Sequence, residues 1–70
     1  MVDVNLLKKK IDESGMTMVA VCEKTGILRQ TMYKRLDDPA FTVDEANALR
    51  KVLRLSSSEV RKIFFATDVN

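Results

Sequence analysis

The residues of this 70-residue chain that are best suited to chemistry are cations and amides between positions 24 and 35. Arg29, Gln30 and Lys34 stand close together there, and no acidic residue occurs in the segment. Arginine and lysine can donate hydrogen bonds to guanine O6 and N7, and glutamine can pair with adenine N6 and N7. If these side chains share one helix face, they indicate contact with the edges of DNA bases.

Catalytic and metal chemistry find little support in the same sequence. The chain contains no histidine, and its single cysteine, Cys22, falls in a helical apolar pattern that is typical of a buried position. Neither an activated nucleophile with its base nor the ligand set of a structural zinc site can be assembled. We therefore expect no enzymatic activity, no catalytic residue, no metal ion, no cofactor and no small-molecule substrate.

The composition favours one small all-α domain. Apolar residues make up 46% of the chain, which is enough for a core, and only two glycines and one proline interrupt it. No stretch approaches the ~20 apolar residues of a membrane span, so we expect a cytoplasmic protein, associated with the nucleoid and not with a membrane. The net charge of +2 is weak for a nucleic-acid binder, so the position of the cations matters more than their number.

Helix-start and turn signals divide the chain into five helices within a single domain, 1–70. The core is expected over about 4–66, and residues 67–70 should fray. The first helix should occupy roughly 1–15. Asp3, Thr17, Thr42 and Ser56 are candidate N-caps, and the last two begin capping boxes with Glu45 and Glu59. Gly15 and Gly26 can take the left-handed conformation that ends a helix.

The second and third of these helices should meet at a tight turn around Thr25, Gly26 and Ile27. The third helix is expected over about 28–36, within a two-helix unit over about 17–36. Met32 and Leu36 are one turn apart and should hold this helix on the core. The polar side chains Arg29, Gln30, Tyr33 and Lys34 then project outward.

The last two helices should supply most of the remaining core. In the fourth, the predicted inward stripe is Val43, Ala46, Leu49 and Leu53, and in the fifth it is Val60, Ile63 and Phe64. Phe65 lies off the stripe of the fifth helix. We therefore expect Phe65 and the C-terminal helix to form either a rim contact or a subunit interface.

Taken together, these residues resemble the Cro/repressor-type (lambda-repressor-like, XRE) helix-turn-helix family. The similarity is strongest in the run that includes Thr17, Val21, Cys22, Gly26, Ile27, Arg29, Gln30, Thr31, Met32, Tyr33 and Leu36. It extends over about residues 4–66, from the first helix through Phe41-Thr42 to Ile63-Phe64-Phe65. The segment 31–42 looks most like small phage or prophage regulators, bacterial or phage-encoded.

The resemblance implies a compact five-helix DNA-binding domain with a helix-turn-helix, acting as a Cro-like repressor in transcription regulation. Such proteins commonly bind a double-stranded operator as weak homodimers. In the family, the positions that match Arg29, Gln30 and Lys34 read base edges, with Tyr33 alongside. The expected phosphate contacts are Thr17, Lys24, Thr31, Arg35 and Thr42.

Two of three departures from the family pattern, those at Met18 and Leu28, together with the weak net charge keep a second function open. Met18 stands where a glutamine is common, Leu28 cannot cap the third helix, and Arg35 replaces an aliphatic residue. A domain of this shape can also serve as a protein-interaction module, such as an anti-repressor or inhibitor. The acid-free segment from Lys24 to Arg35 favours DNA binding over that alternative.

Overall fold

The computed structural model describes residues 2–66, which form five α-helices and, within that range, no β-strand. The helices are α1 (Val4–Glu13), α2 (Met18–Thr25), α3 (Arg29–Asp37), α4 (Val43–Leu53) and α5 (Ser57–Phe64). This confirms the all-α class and the number of helices that the sequence predicts. The expected frayed tail at 67–70 lies outside the described residues.

The predicted N-caps are confirmed at four of the five helix starts. The side chains of Asp3 and Thr17 accept hydrogen bonds from backbone N–H groups three residues later, each at 3.1 Å. Thr42 and Ser56 form complete capping boxes with Glu45 and Glu59. The first helix is shorter than expected because Asp3 caps it and it ends at Glu13. These bonds satisfy backbone donors that a helix leaves without an internal partner.

Both predicted glycine turns are also present. Gly15 has φ of 76° and Gly26 has φ of 78°, a conformation in which a side chain is strained even though open space surrounds each position. At Gly26 the chain leaves α2 and, after only two further residues, begins α3. The turn between these two helices therefore depends on a glycine at this position.

Each helix contributes one fully buried side chain to the centre of the core. These residues are Leu7, Val21, Met32, Leu49 and Ile63. Helix α2 packs against α3 and α4, and α1 packs against α5. The α1–α5 contact is strengthened by a 2.7 Å hydrogen bond from the Asp3 N–H to the Ile63 carbonyl. The result is a small bundle in which no helix is buried on all sides.

An ion pair between Lys10 and Glu59 also joins α1 to α5. The hydrogen bond from Lys10, followed by the backbone N–H of Ser56, lowers the pKa of Glu59 to about 2. The same hydrogen bond is the largest cause of the raised pKa of Lys10. The side chain of Lys10 is thus held at this contact, whereas Lys8 and Lys9 are exposed.

One predicted core residue, Val43, is wrongly assigned. It is 84% exposed, although Leu49 in the same helix is fully buried. At 3.6 residues per turn, a position six residues before Leu49 lies about 120° away from it around the helix axis. Ala46 and Leu53 are nearer to the direction of Leu49, and both pack against the core as predicted.

Candidate nucleic-acid interface

Helix α3 is held on the bundle by a narrow apolar side. Met32 is fully buried, and Leu36, one turn later, packs against the core. Ile27, 7% exposed, fills the corner between α2 and α3, as the sequence predicts. Because these contacts occupy only one side of a short helix, the rest of α3 remains on the surface of the molecule.

This exposed surface of α3 carries the residues that the sequence singles out for base recognition. Arg29, Gln30 and Lys34 are exposed, and Tyr33 is 56% exposed. We refer to these four residues as the α3 cationic face. Within residues 2–66, no carboxylate forms a salt bridge with Arg29 or Lys34. The hydrogen-bond donors of this face are therefore available to a ligand.

Four of the five residues expected to contact phosphate are at least partly accessible and form no salt bridge within residues 2–66. Lys24 is exposed near the end of α2, and Thr31 is half-buried in α3. Thr17 and Thr42 are exposed, and their hydroxyl oxygens already accept the capping hydrogen bonds from Ala20 and Glu45. A hydroxyl that accepts one bond still has a hydrogen to donate. Both threonines can therefore cap their helices and hydrogen-bond to a phosphate oxygen.

The fifth expected phosphate contact, Arg35, is engaged within the protein. Its Nε donates to Glu45 Oε1 at 2.9 Å and its Nη2 to Glu45 Oε2 at 3.4 Å. The two side chains are only 22% and 15% exposed. Arg35 therefore connects the end of α3 to the start of α4, and its contact with phosphate stays a prediction. The sequence does not predict this hydrogen bond, because Arg35 and Glu45 belong to different helices.

Glu45 serves both this ion pair and the capping box of α4. Its Oε1 accepts from the Thr42 N–H at 2.9 Å as well as from Arg35. Burial raises the pKa of Glu45, but the hydrogen bonds from Arg35 and Thr42 together outweigh it, so the pKa is lowered overall. The carboxylate thus remains charged at neutral pH and holds the second half of α3 in position.

A shallow groove beside the α3 cationic face contains residues from three helices. Lys8 from α1, Met18 from α2 and Tyr33, Leu36 and Asp37 from α3 line it. Met18 packs against the core, which accounts for an apolar residue at the first position of α2. Lys8 places a cation in the same groove as Tyr33. The sequence alone does not connect Lys8 with α3. The signal in the sequence is the run of three lysines at 8–10, which can be read as a solvated face or as a flank that contacts phosphate.

Other chemical groups of the described chain do not form a second site. Cys22 is buried, and burial raises its pKa, opposed by the charge of Arg29, so the thiol is unreactive at neutral pH. Residues 2–66 hold no group of three histidine, cysteine, aspartate or glutamate side chains arranged for a metal ion. None of the helices in that range is both long enough and apolar enough to cross a bilayer.

Comparison of the chain with protein-family models, with curated proteins and with solved structures finds no match in any of the three. The exposed side of α3 and its supports are therefore the features on which a function can be proposed.

Proposed function

We propose that this chain is a sequence-specific double-stranded DNA-binding transcriptional regulator of the Cro-like repressor type. In this proposal, α2 and α3 form a helix-turn-helix within a lambda-repressor-like domain. Helix α3 enters the major groove, where Arg29, Gln30, Tyr33 and Lys34 meet base edges. Thr17, Lys24, Thr31 and Thr42 contact phosphates and set the register on the duplex.

The observation that carries the proposal is the exposed, acid-free α3 cationic face above a buried Met32. A short polar helix with a single fully buried residue is poorly stable alone and depends on the surrounding bundle. Here the bundle supports it with Ile27 at one end and the Arg35–Glu45 pair at the other. This arrangement keeps the helix that carries these hydrogen-bond donors in a fixed position, as base recognition requires.

The proposal includes a weak homodimer on the operator. One recognition helix contacts few base pairs, and two helices placed about 34–36 Å apart can read two half-sites. Phe65 is 67% exposed and lines a surface groove with Val43 and Val60. An apolar surface on α4 and α5 leaves α3 available to DNA, so it suits contact with a second copy.

The same apolar groove supports the alternative function, a protein-interaction module such as an anti-repressor or inhibitor. Val43, at 84% exposure, is the most exposed large hydrophobic residue in the described chain. If this groove binds a different protein and α3 has no ligand, substitutions at Val43 and Phe65 should abolish function, whereas substitutions on α3 should not. The two functions therefore predict opposite sets of sensitive residues.

Selection of bound sequences from a random duplex pool, followed by titration of the selected and a scrambled duplex at several salt concentrations, tests the proposal. We expect the selected duplex to bind at least 10³-fold more tightly. The logarithm of the affinity for both duplexes should decrease linearly with the logarithm of the salt concentration, because phosphate contacts release counterions. Equal affinity for selected and scrambled duplexes would contradict sequence-specific recognition.

Arg29→Ala separates base recognition from general charge attraction. We expect it to lower affinity for the selected duplex by roughly 1–3 kcal/mol and to change the scrambled duplex much less. Arg61→Ala is the matched control, since Arg61 is an exposed arginine on α5. If Arg29→Ala and Arg61→Ala lose the same affinity on both duplexes, Arg29 does not read a base.

A further inference from the structure

Leu28, immediately before α3, is an exposed apolar residue in a position where the other helices have a polar cap. Its side chain is 73% exposed and makes no capping hydrogen bond. The other four helices begin after Asp3, Thr17, Thr42 or Ser56, and each of these side chains caps its helix. Leucine is a poor N-cap because its side chain cannot accept a hydrogen bond from the backbone. At this position it is also too exposed to stabilise the fold by burial of apolar surface.

Packing does not account for this leucine either. The preceding residue, Ile27, is 7% exposed and already fills the corner between α2 and α3. Leu28 has an extended backbone, with φ of −62° and ψ of 144°, and it lines an open groove together with Thr31 and with Asp44 and Glu45 of α4. Residues that break a local rule without a gain in the folded protein are expected at functional positions.

Leu28 also directly precedes the residues proposed to read bases, Arg29 and Gln30. In helix-turn-helix docking, the N-terminal end of the recognition helix is the part that contacts base edges. A leucine cannot form a hydrogen bond there. In the major groove, the apolar feature of the four natural base pairs is the C5-methyl group of thymine.

We propose that Leu28 reads a thymine methyl group next to the bases contacted by Arg29 and Gln30. This inference rests on the proposed DNA-binding function and adds a residue that determines sequence preference through apolar contact alone. It predicts a thymine in each half-site at which removal of one methyl group is enough to weaken binding.

Replacement of thymine by deoxyuridine removes that methyl group and leaves every hydrogen-bonding group of the base pair unchanged. Starting from the selected duplex, each thymine is replaced singly and the affinity of the full chain is measured. We expect a loss of about fourfold at one thymine per half-site, the factor that corresponds to one buried methyl group. The other replacements should have little effect.

Leu28→Ala should bind the thymine duplex about as weakly as the unmodified protein binds the uracil duplex. It should no longer distinguish thymine from uracil at that position. Val19→Ala is the matched control, because Val19 is an exposed apolar residue of α2; it should keep the fourfold preference. Leu28→Ser, which adds a capping hydroxyl and carries no methyl group, should raise the melting temperature, so a loss of base preference in that variant cannot come from unfolding.

Three results would overturn the inference in distinguishable ways. Binding without any thymine-to-uracil effect shows that no methyl group is read, and leaves the DNA-binding function intact. A thymine preference that persists in Leu28→Ala assigns the methyl contact to another residue. Failure of the unmodified protein to bind any duplex overturns the proposed function and this inference together.

Discussion

Helices α3 and α4 are similar in length but differ in how they are stabilised. Helix α4 begins with a capping box and presents an apolar stripe around the fully buried Leu49. Helix α3 begins without a side-chain cap. Each of these two helices has one buried residue, but α3 adds only Leu36 to the core, whereas α4 adds Ala46 and Leu53. Local signals define α4, whereas α3 depends on tertiary contacts. Helix α3, the more polar of the two, is thus held mainly by its neighbours.

Among the changes to α3 and α4, truncation of the central core residues should cause the largest loss in the free energy of unfolding. We expect Met32→Ala and Leu49→Ala each to lower the free energy of unfolding by about 2–5 kcal/mol, because both leave a cavity in the core. Tyr33→Ala and Val43→Ala are matched controls on the same helices at exposed positions. Urea unfolding of the four variants measures the difference. Equal losses at Met32 and Tyr33 would show that α3 is not held as described.

Removal of the ion pair between α3 and α4 should have the next largest effect. Arg35→Gln loses charge-assisted hydrogen bonds to Glu45, and we expect the free energy of unfolding to decrease by about 1–2 kcal/mol. If Arg35 positions α3 and does not contact phosphate, the variant should keep the salt dependence of DNA binding. A salt slope reduced by about one would instead return Arg35 to the phosphate contacts.

Removing the cap of α4 and adding a cap to α3 should change the stability of the protein in opposite directions. Thr42→Ala removes the cap of α4 and should destabilise the protein by about 1 kcal/mol. Leu28→Thr adds a cap to α3 and should stabilise it by an amount of the same order. Thermal unfolding of both variants measures the effects. If Leu28→Thr destabilises the protein, the start of α3 already has a stabilising partner that the structure does not explain.

Acid should weaken the helices with capping boxes and leave the start of α3 unaffected. The pKa of Glu59 is lowered from 4.5 to about 2, so its stabilising contribution is fully present above pH 4.5 and disappears as the pH falls toward 2. Glu45 acts in the same direction, because its pKa is also lowered. We expect Glu59→Gln to flatten the decrease in melting temperature between pH 4.5 and pH 2. An unchanged pH profile would show that Glu59 is not paired with Lys10 in solution.

Much of the candidate site could be predicted because it depends on short-range signals. The exposed positions of Gln30 and Lys34 follow from their spacing of two residues from Met32, which places them about 160° away around the helix axis. Arg29 lies only about 60° from Met32 and is exposed because it is the first residue of α3. Arg35 could not be placed in this way. Its orientation depends on Glu45, ten residues later in another helix, and a hydrogen bond between helices leaves no periodic pattern in the sequence.

The sequence alone determined where the helices begin and turn, because caps and left-handed glycines act within about four residues. Short-range signals of this kind predict the caps Asp3, Thr17, Thr42 and Ser56 and the turns at Gly15 and Gly26. They miss the end of α4, where Arg54 takes the left-handed conformation that glycine usually occupies.

Only the tertiary structure decided which polar side chains remain available. Arg35 and Lys10 are both engaged with glutamates of other helices, and Val43 is exposed despite its apolar character. These outcomes depend on how the helices pack together. Charge and hydropathy along the chain specify what each residue can do, but the packing of distant helices determines which partners it meets.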